Sequence, residues 1–237
     1  MLQVENLSHS YNKELSFAIR DINFTIQDSE IFGFLGPSGA GKSTTQNILT
    51  GLLPLQHGHI LLNGKSISFR DKHYLNSIGV SFESPNVYKM LSGFDNLEFH
   101  KKMFDGATDD SMKLLRMVQL EDDARKKAGS YSKGMLQRLV FARSLINKPK
   151  ILFLDEPTSG LDPTTSRVIK EIIKEKKNEG ITIFLTTHNM HIAEELCDKV
   201  AFIDNGRIRV TDSPKNLKIK YGEKLIKIEY LKMESSI

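Results

Sequence analysis

Ile31-Phe32-Gly33-Phe34-Leu35-Gly36-Pro37-Ser38-Gly39-Ala40-Gly41-Lys42-Ser43-Thr44 is the stretch that decides the fold. Residues 30–35 read as an apolar strand. From Gly36 the chain follows Gly-x-x-x-x-Gly-Lys-Ser/Thr, and residues 43–50 then read as a helix closed by Gly51. Strand, glycine loop and helix in this order are the setting in which the pattern signifies phosphate binding. Glycines let the backbone wrap around phosphate oxygens. Backbone N–H groups and the positive end of the helix favour the negative charge. The expected cradle is Gly36, Pro37, Ser38, Gly39, Ala40, Gly41, Lys42, Ser43 and Thr44, with Lys42 on the β- and γ-phosphates and Ser43 on Mg2+. A plain glycine-rich turn before a helix is the alternative, and both flanking elements weigh against it. The loop alone does not choose between kinases, GTPases, motor ATPases and transporters.

Upstream of the loop, Leu2, Val4 and Leu7 and then residues 17–26 alternate like β-structure. Downstream, 60–62 and 78–82 look like further strands. From about Pro85 to Ile146 the spacing becomes helical, over 96–104, 110–119 and 132–146. Strand and helix then alternate again. In 163–179, Val168, Ile169, Ile172 and Ile173 form one apolar face, with Asp162 as N-cap, Pro163 as first helical residue and Gly180 as the stop. Residues 181–185 and 200–203 read as strands, and Asp204-Asn205-Gly206 as a hairpin turn into 207–211. This order predicts an α/β nucleotide-binding core interrupted by a mostly helical subdomain. Near the C-terminus, Ile226, Ile228 and Tyr230 alternate like a strand.

Lys150-Ile151-Leu152-Phe153-Leu154-Asp155-Glu156 is a buried type of strand ending in two acids. In an open α/β sheet the C-terminal ends of the strands meet the ligand crevice. Asp155 fits a carboxylate that holds Mg2+, and Glu156 fits the base that polarises the attacking water. A strand leaving the core into a polar turn is the plain alternative, and the phosphate loop makes it the weaker one.

Between these elements lies Tyr131-Ser132-Lys133-Gly134-Met135-Leu136-Gln137-Arg138. It resembles the signature of the ABC ATPases through Ser132, Gly134, Gln137 and Arg138, and departs from the commonest form at Tyr131, Lys133 and Met135. Without the family, an ordinary Ser-capped helix is the favoured reading. Ser159-Gly160-Leu161-Asp162 resembles the family's D-loop, although Asp162 also explains itself as a helix cap. His188 resembles the switch histidine that contacts the γ-phosphate, and Tyr11 the aromatic that stacks on adenine. An exposed Tyr in a turn is unremarkable by itself. The resemblance runs from about Leu2 to Val210.

The resemblance implies an α/β fold: a P-loop NTPase core with an N-terminal antiparallel β subdomain and an inserted helical subdomain. In domain terms this is 1–85 and 147–237 for the core and 86–146 for the helical insert. It implies ATP and Mg2+ as ligands and an ATPase coupled to transport. A second nucleotide-binding subunit, two identical copies being the simplest case, would oppose its Ser132 and Gly134 to this chain's Lys42, Ser43, Asp155, Glu156 and His188. Separate transmembrane permease subunits would hold the chain peripherally at the cytoplasmic face of the cell membrane. Where the family usually carries glutamine, this chain has Glu83, which keeps an oxygen ligand for Mg2+ and adds a charge. That change, with the Tyr131-Ser132-Lys133-Gly134 form of the signature, resembles exporters of antibiotics and antimicrobial peptides whose membrane partners are separate ABC-2-type chains. A neutral replacement is the alternative reading of Glu83. Rival functions are a soluble ABC ATPase acting on another macromolecule, a different P-loop enzyme such as a small-molecule kinase, and a cassette with dead chemistry. A single cassette without a heptad insert disfavours the first. The signature, D-loop and His188 disfavour the second, and Lys42, Asp155 and Glu156 the third.

Composition sets the outer limits. The 39% hydrophobic share is enough for a sizeable core, so global disorder is excluded. A formal net charge of only +4 demands no nucleic-acid partner. The local Lys excess from Lys215 onward reads as a solvated face with a weak attraction for anionic membrane. The one cysteine, Cys197, cannot form an intrachain disulfide and reads as a small buried hydrophobe. The start, Met1 to Tyr11, has neither a basic nor an apolar signal region, so no signal peptide is expected. Apolar runs fall far short of the roughly 20 residues a membrane-spanning helix needs.

Overall fold

The computed structural model describes residues 1–12, 17–67 and 71–221. The alternation at Ile226, Ile228 and Tyr230 lies outside them. In chain order the elements are β1 (Leu2–His9), β2 (Ile19–Ile26), β3 (Ile31–Leu35), α1 (Lys42–Leu49), β4 (His57–Leu62), β5 (Lys65–Ser66), α2 (Lys72–Ser77) and β6 (Ile78–Ser81). Then follow α3 (Gly93–Lys101), α4 (Ser111–Met117), α5 (Lys133–Ser144), β7 (Ile151–Asp155), α6 (Pro163–Asn178), β8 (Thr182–Thr187), α7 (Met190–Leu196), β9 (Lys199–Asp204), β10 (Arg207–Asp212) and α8 (Pro214–Tyr221).

Two sheets result. One is antiparallel, in the order β2-β1-β4-β5. The other runs β10-β9-β3-β8-β7-β6, parallel except for β10 at its edge. Strands β3, β7 and β8 are buried at every position because both faces of the second sheet are covered. Alternation then assigns each side chain to a face. Phe32, Phe34, Phe153 and Phe184 point to a core shared with Phe24 of the antiparallel sheet, where Phe24 stacks on Phe32 with ring centroids 5.1 Å apart. Ile31, Leu35, Leu152, Leu154, Ile183 and Leu185 point to the other core.

That second core also takes Leu97 of α3, Leu114 and Leu115 of α4, and Leu139 and Phe141 of α5. The helical stretch between β6 and β7 therefore packs against the sheet through a common apolar cluster. Tyr131, the departure from the commonest signature, is buried there and donates its hydroxyl to the Asp123 carbonyl at 2.7 Å. Burial raises its pKa above the usual phenol value.

Caps explain where helices start. Asp162 accepts from Thr164 N and Thr165 N, both at 3.0 Å, ahead of Pro163. Helix α3 begins earlier than the apolar spacing suggests because Ser92 caps it, accepting from Asp95 N at 3.0 Å. The six-residue α2, capped by Asp71, carries too few turns to show periodicity. The β9–β10 hairpin turns through Asn205 and Gly206, both at positive φ (48° and 72°). Cys197 is buried against Gly33, and burial pushes its thiol up to about 12.

Candidate functional site

The loop after β3 has its shape because two glycines allow it. A Cβ at Gly36 would collide with the Ile203 carbonyl oxygen of β9. Gly41 adopts φ 109°, a left-handed value that penalises any side chain, and a Cβ there would press on Ile19. Gly41 is also the N-cap of α1, and no side chain caps that helix. Its first N–H groups are thus left for a ligand. The Lys42 ammonium, in a residue only 8% exposed, donates to the carbonyls of Gly36 at 2.8 Å and Pro37 at 3.0 Å. These partners are neutral, and no ion pair among the described residues compensates the charge.

The acids arrive at the same place on β7. Asp155 is paired with Thr186 in the parallel register of β7 and β8, and the Thr186 hydroxyl donates to its carboxylate. Ser43 Oγ lies 3.4 Å from the other oxygen. Burial raises the Asp155 pKa above the ordinary carboxylate value, and neighbouring Glu156 adds to this; the Thr186 and Ser43 hydroxyls and Lys42 oppose it. Glu156 stands just past the strand at φ 47°, unusual for a side-chain-bearing residue, and is only 8% exposed. Thr187 Oγ1 donates to its Oε2 at 3.1 Å, while His188 N donates to Oε1 at 2.8 Å. The His188 ring Nδ1 lies 2.6 Å from the same oxygen, so the ring is tethered at one nitrogen, though its side chain stays 61% exposed.

Ser38, Gly39, Gly41, Lys42, Ser43, Thr44, Glu83, Asp155, Glu156 and His188 together line a cleft of about 210 Å³. The chemistry-bearing residues expected from distant parts of the chain therefore converge. Tyr11 does not line this cleft but touches its rim, with its hydroxyl 3.1 Å from Thr44 Oγ1. Ser132, Gly134 and Asp162 do not line it either. Ser132 caps α5, accepting from Met135 N at 3.2 Å; Gly134 lies against Leu161; Asp162 is engaged as the cap of α6. A larger cleft of about 630 Å³, among Lys65, Tyr74, Lys150 and Thr182, contains none of the expected residues. Thr186 and Thr187 are the functional neighbours that the sequence reading passed over. Their signal was position alone, at the end of a strand beside β7.

The cleft fits a nucleotide phosphate with a divalent metal. A buried ammonium that hydrogen-bonds to loop carbonyls and an uncapped helix N-terminus favour an anion. Ser43 Oγ and the Asp155 carboxylate supply adjacent hard oxygen donors of the kind Mg2+ takes. A cation there would favour ionised Asp155 against the effect of burial.

Known proteins point the same way. The family described as ABC transporter matches residues 19–159, more than half of the chain. The chain is 52% identical over 230 residues to a fluoroquinolones export ATP-binding protein of Mycobacterium tuberculosis, covering 97% of this chain and 76% of that one. It is 38% identical to the lantibiotic transport ATP-binding protein SrtF of Streptococcus pyogenes, covering 95% and 98%. Among solved structures, an ATP-binding cassette in a dimeric, post-hydrolysis state with ADP and Pi superposes with a TM-score of 0.80 at 26% identity, covering 90% of this chain and 99% of that one.

Proposed function

This chain belongs to the ABC transporter family, and on that premise we propose that it drives export of a drug or antimicrobial peptide through separate membrane-spanning chains. ATP binding and hydrolysis come with the family. The cargo class is carried over from the relatives, one named for fluoroquinolone export and one for lantibiotic transport. Among the described residues no helix is long and apolar enough to cross a membrane, so the path for cargo is assigned to partner chains. They would hold this subunit peripherally, at the cytoplasmic face.

In this reading Lys42 exchanges its two carbonyl partners for the β- and γ-phosphates, and the first N–H groups of α1 take the remaining oxygens. Ser43 and Asp155, with Glu83 nearby, would hold Mg2+, which would supply charge neutralisation on the phosphates. Glu156 accepts a proton from the attacking water. His188, tethered at Nδ1, leaves its other ring nitrogen for the γ-phosphate. Ser132 and Gly134 lie outside their own cleft, which fits a second copy that presents them across a two-fold axis. Asp162 would lie at the same seam while capping α6.

The observation that supports this best is Glu156. Holding a non-glycine residue at positive φ costs on the order of 1–3 kcal/mol, and such strain collects at functional sites. Here it aims a largely buried carboxylate into the cleft that also holds Lys42. Glu156→Gln tests the assignment. Steady-state hydrolysis should fall by about 10²–10⁴-fold, with ATP still bound and the chain eluting as a dimer in gel filtration. Full turnover in that variant sinks the assignment of the base.

A further inference from the structure

We infer that His9 is a positioning residue for nucleotide, whose buried ring keeps Tyr11 ready as a platform for the base. The inference rests on the reading of Tyr11 as the residue that stacks on adenine. Tyr11 is 62% exposed on the segment just after β1. An exposed tyrosine on a loop ordinarily exchanges among rotamers, and ordering it on binding costs affinity. Here the side chain is held at two points. Its hydroxyl shares a hydrogen bond with Thr44 Oγ1 at 3.1 Å, and its ring meets that of His9 with centroids 5.1 Å apart and planes at 83°. That near-perpendicular arrangement is a favourable one for two rings.

The two tethers differ in what nucleotide does to them. Thr44 belongs to the phosphate cradle, so a bound phosphate competes for its hydroxyl. His9 does not line the cleft, so a bound phosphate would not compete for its contact with the Tyr11 ring. His9 is itself firmly seated. It is 2% exposed, pairs with Ile19 across β1 and β2, and its carbonyl accepts from Ala18 N at 2.9 Å. Its Nδ1 is buried without a hydrogen-bond partner. An unpaired buried nitrogen is destabilising, and an apolar side chain would avoid it. The ring contact with Tyr11 is what the imidazole provides in return.

The test compares a ligand that has a base with one that lacks it. Dissociation constants of ADP and of inorganic pyrophosphate, both with Mg2+, are measured on the full chain for His9→Gln, His9→Phe and Tyr11→Ala. His9→Gln removes the ring and should weaken ADP by about two- to tenfold while leaving pyrophosphate unchanged. His9→Phe restores a ring and should bind ADP like the parent. Adding His9→Gln to Tyr11→Ala should cost nothing further, since His9 acts only through Tyr11. Equal weakening of both ligands in His9→Gln would mean a merely structural role and overturns the inference. So does unchanged ADP affinity in His9→Gln when Tyr11→Ala is impaired. Unchanged ADP affinity in Tyr11→Ala removes the platform reading itself, and the inference with it.

Discussion

The N-termini of α1 and α5 both carry residues expected to hold nucleotide, yet they are finished in opposite ways. Helix α1 opens on Gly41 in a left-handed conformation with no side-chain cap, and its buried Lys42 is satisfied only by loop carbonyls. Helix α5 opens on Ser132, which caps its own helix through Met135 N and is exposed. The first end leaves its N–H groups and the ammonium to bind an anion. The second is complete as a helix terminus and carries a hydroxyl that can be redirected. This difference teaches that the two ends are finished for different roles: the α1 end leaves its donors to a ligand, and the α5 end carries an accessible cap.

Substitutions can separate the two ends. Lys42→Ala should produce the largest effect. Removing the buried ammonium should weaken ATP by at least about tenfold, since hydrogen bonds to charged groups contribute about 1.5–3 kcal/mol. The melting temperature without nucleotide should change little, because the ammonium's hydrogen bonds go to two loop carbonyls and it forms no ion pair among the described residues. A drop in that temperature with unchanged ATP affinity would break the contrast.

Mixing is the next test. Lys42→Ala and Gly134→Asp are each expected to be inactive alone. A mixed dimer has one composite site free of both changes, so mixing should restore up to about one quarter of the parent rate for random pairing. No recovery, with dimers present by gel filtration, would mean that α5 does not complete a partner's site.

A smaller effect is expected from Thr186→Val. The Thr186 hydroxyl lowers the Asp155 pKa against the upward push of burial. Without it the carboxyl titrates at higher pH still, so the acidic limb of Mg2+-dependent hydrolysis should move upward. Activity should then be lost first at the low end of the range, as read from a pH–rate profile. A downward move of that limb would contradict the assigned hydrogen bond. Ser132→Ala should have the smallest effect on stability, about 1 kcal/mol for a lost N-cap, measured by urea unfolding.

Much of this was legible before any coordinates. The phosphate loop announces itself through Gly36, Gly41, Lys42 and Ser43 because its chemistry is carried by consecutive residues. Asp162-Pro163 and Asn205-Gly206 were equally readable, since caps and tight turns are local. Helix starts were less so: the apolar spacing at 96–104 could not show that Ser92 begins α3 earlier. Helices α2 and α8 and the two-residue β5 are too short or too weakly patterned to stand out. The partners of the expected site residues were not legible at all. Nothing local joins Tyr11 to Thr44, or Asp155 to Thr186.

By itself the sequence pointed to the chemistry proposed for the chain: a phosphate cradle, a metal carboxylate, a candidate base and a signature on a capped helix. Each follows from residue type and short spacing, which the covalent chain enforces directly. Only the tertiary structure decided which of these meet. Parallel pairing of β7 with β8 sets Asp155 beside Thr186 and brings His188 onto Glu156. Close passage of β9 makes Gly36 obligatory. The same packing leaves Ser132 and Gly134 outside their own cleft. Such relations depend on the register and layering of distant strands, set by burial of both sheet faces together, which no local stretch encodes.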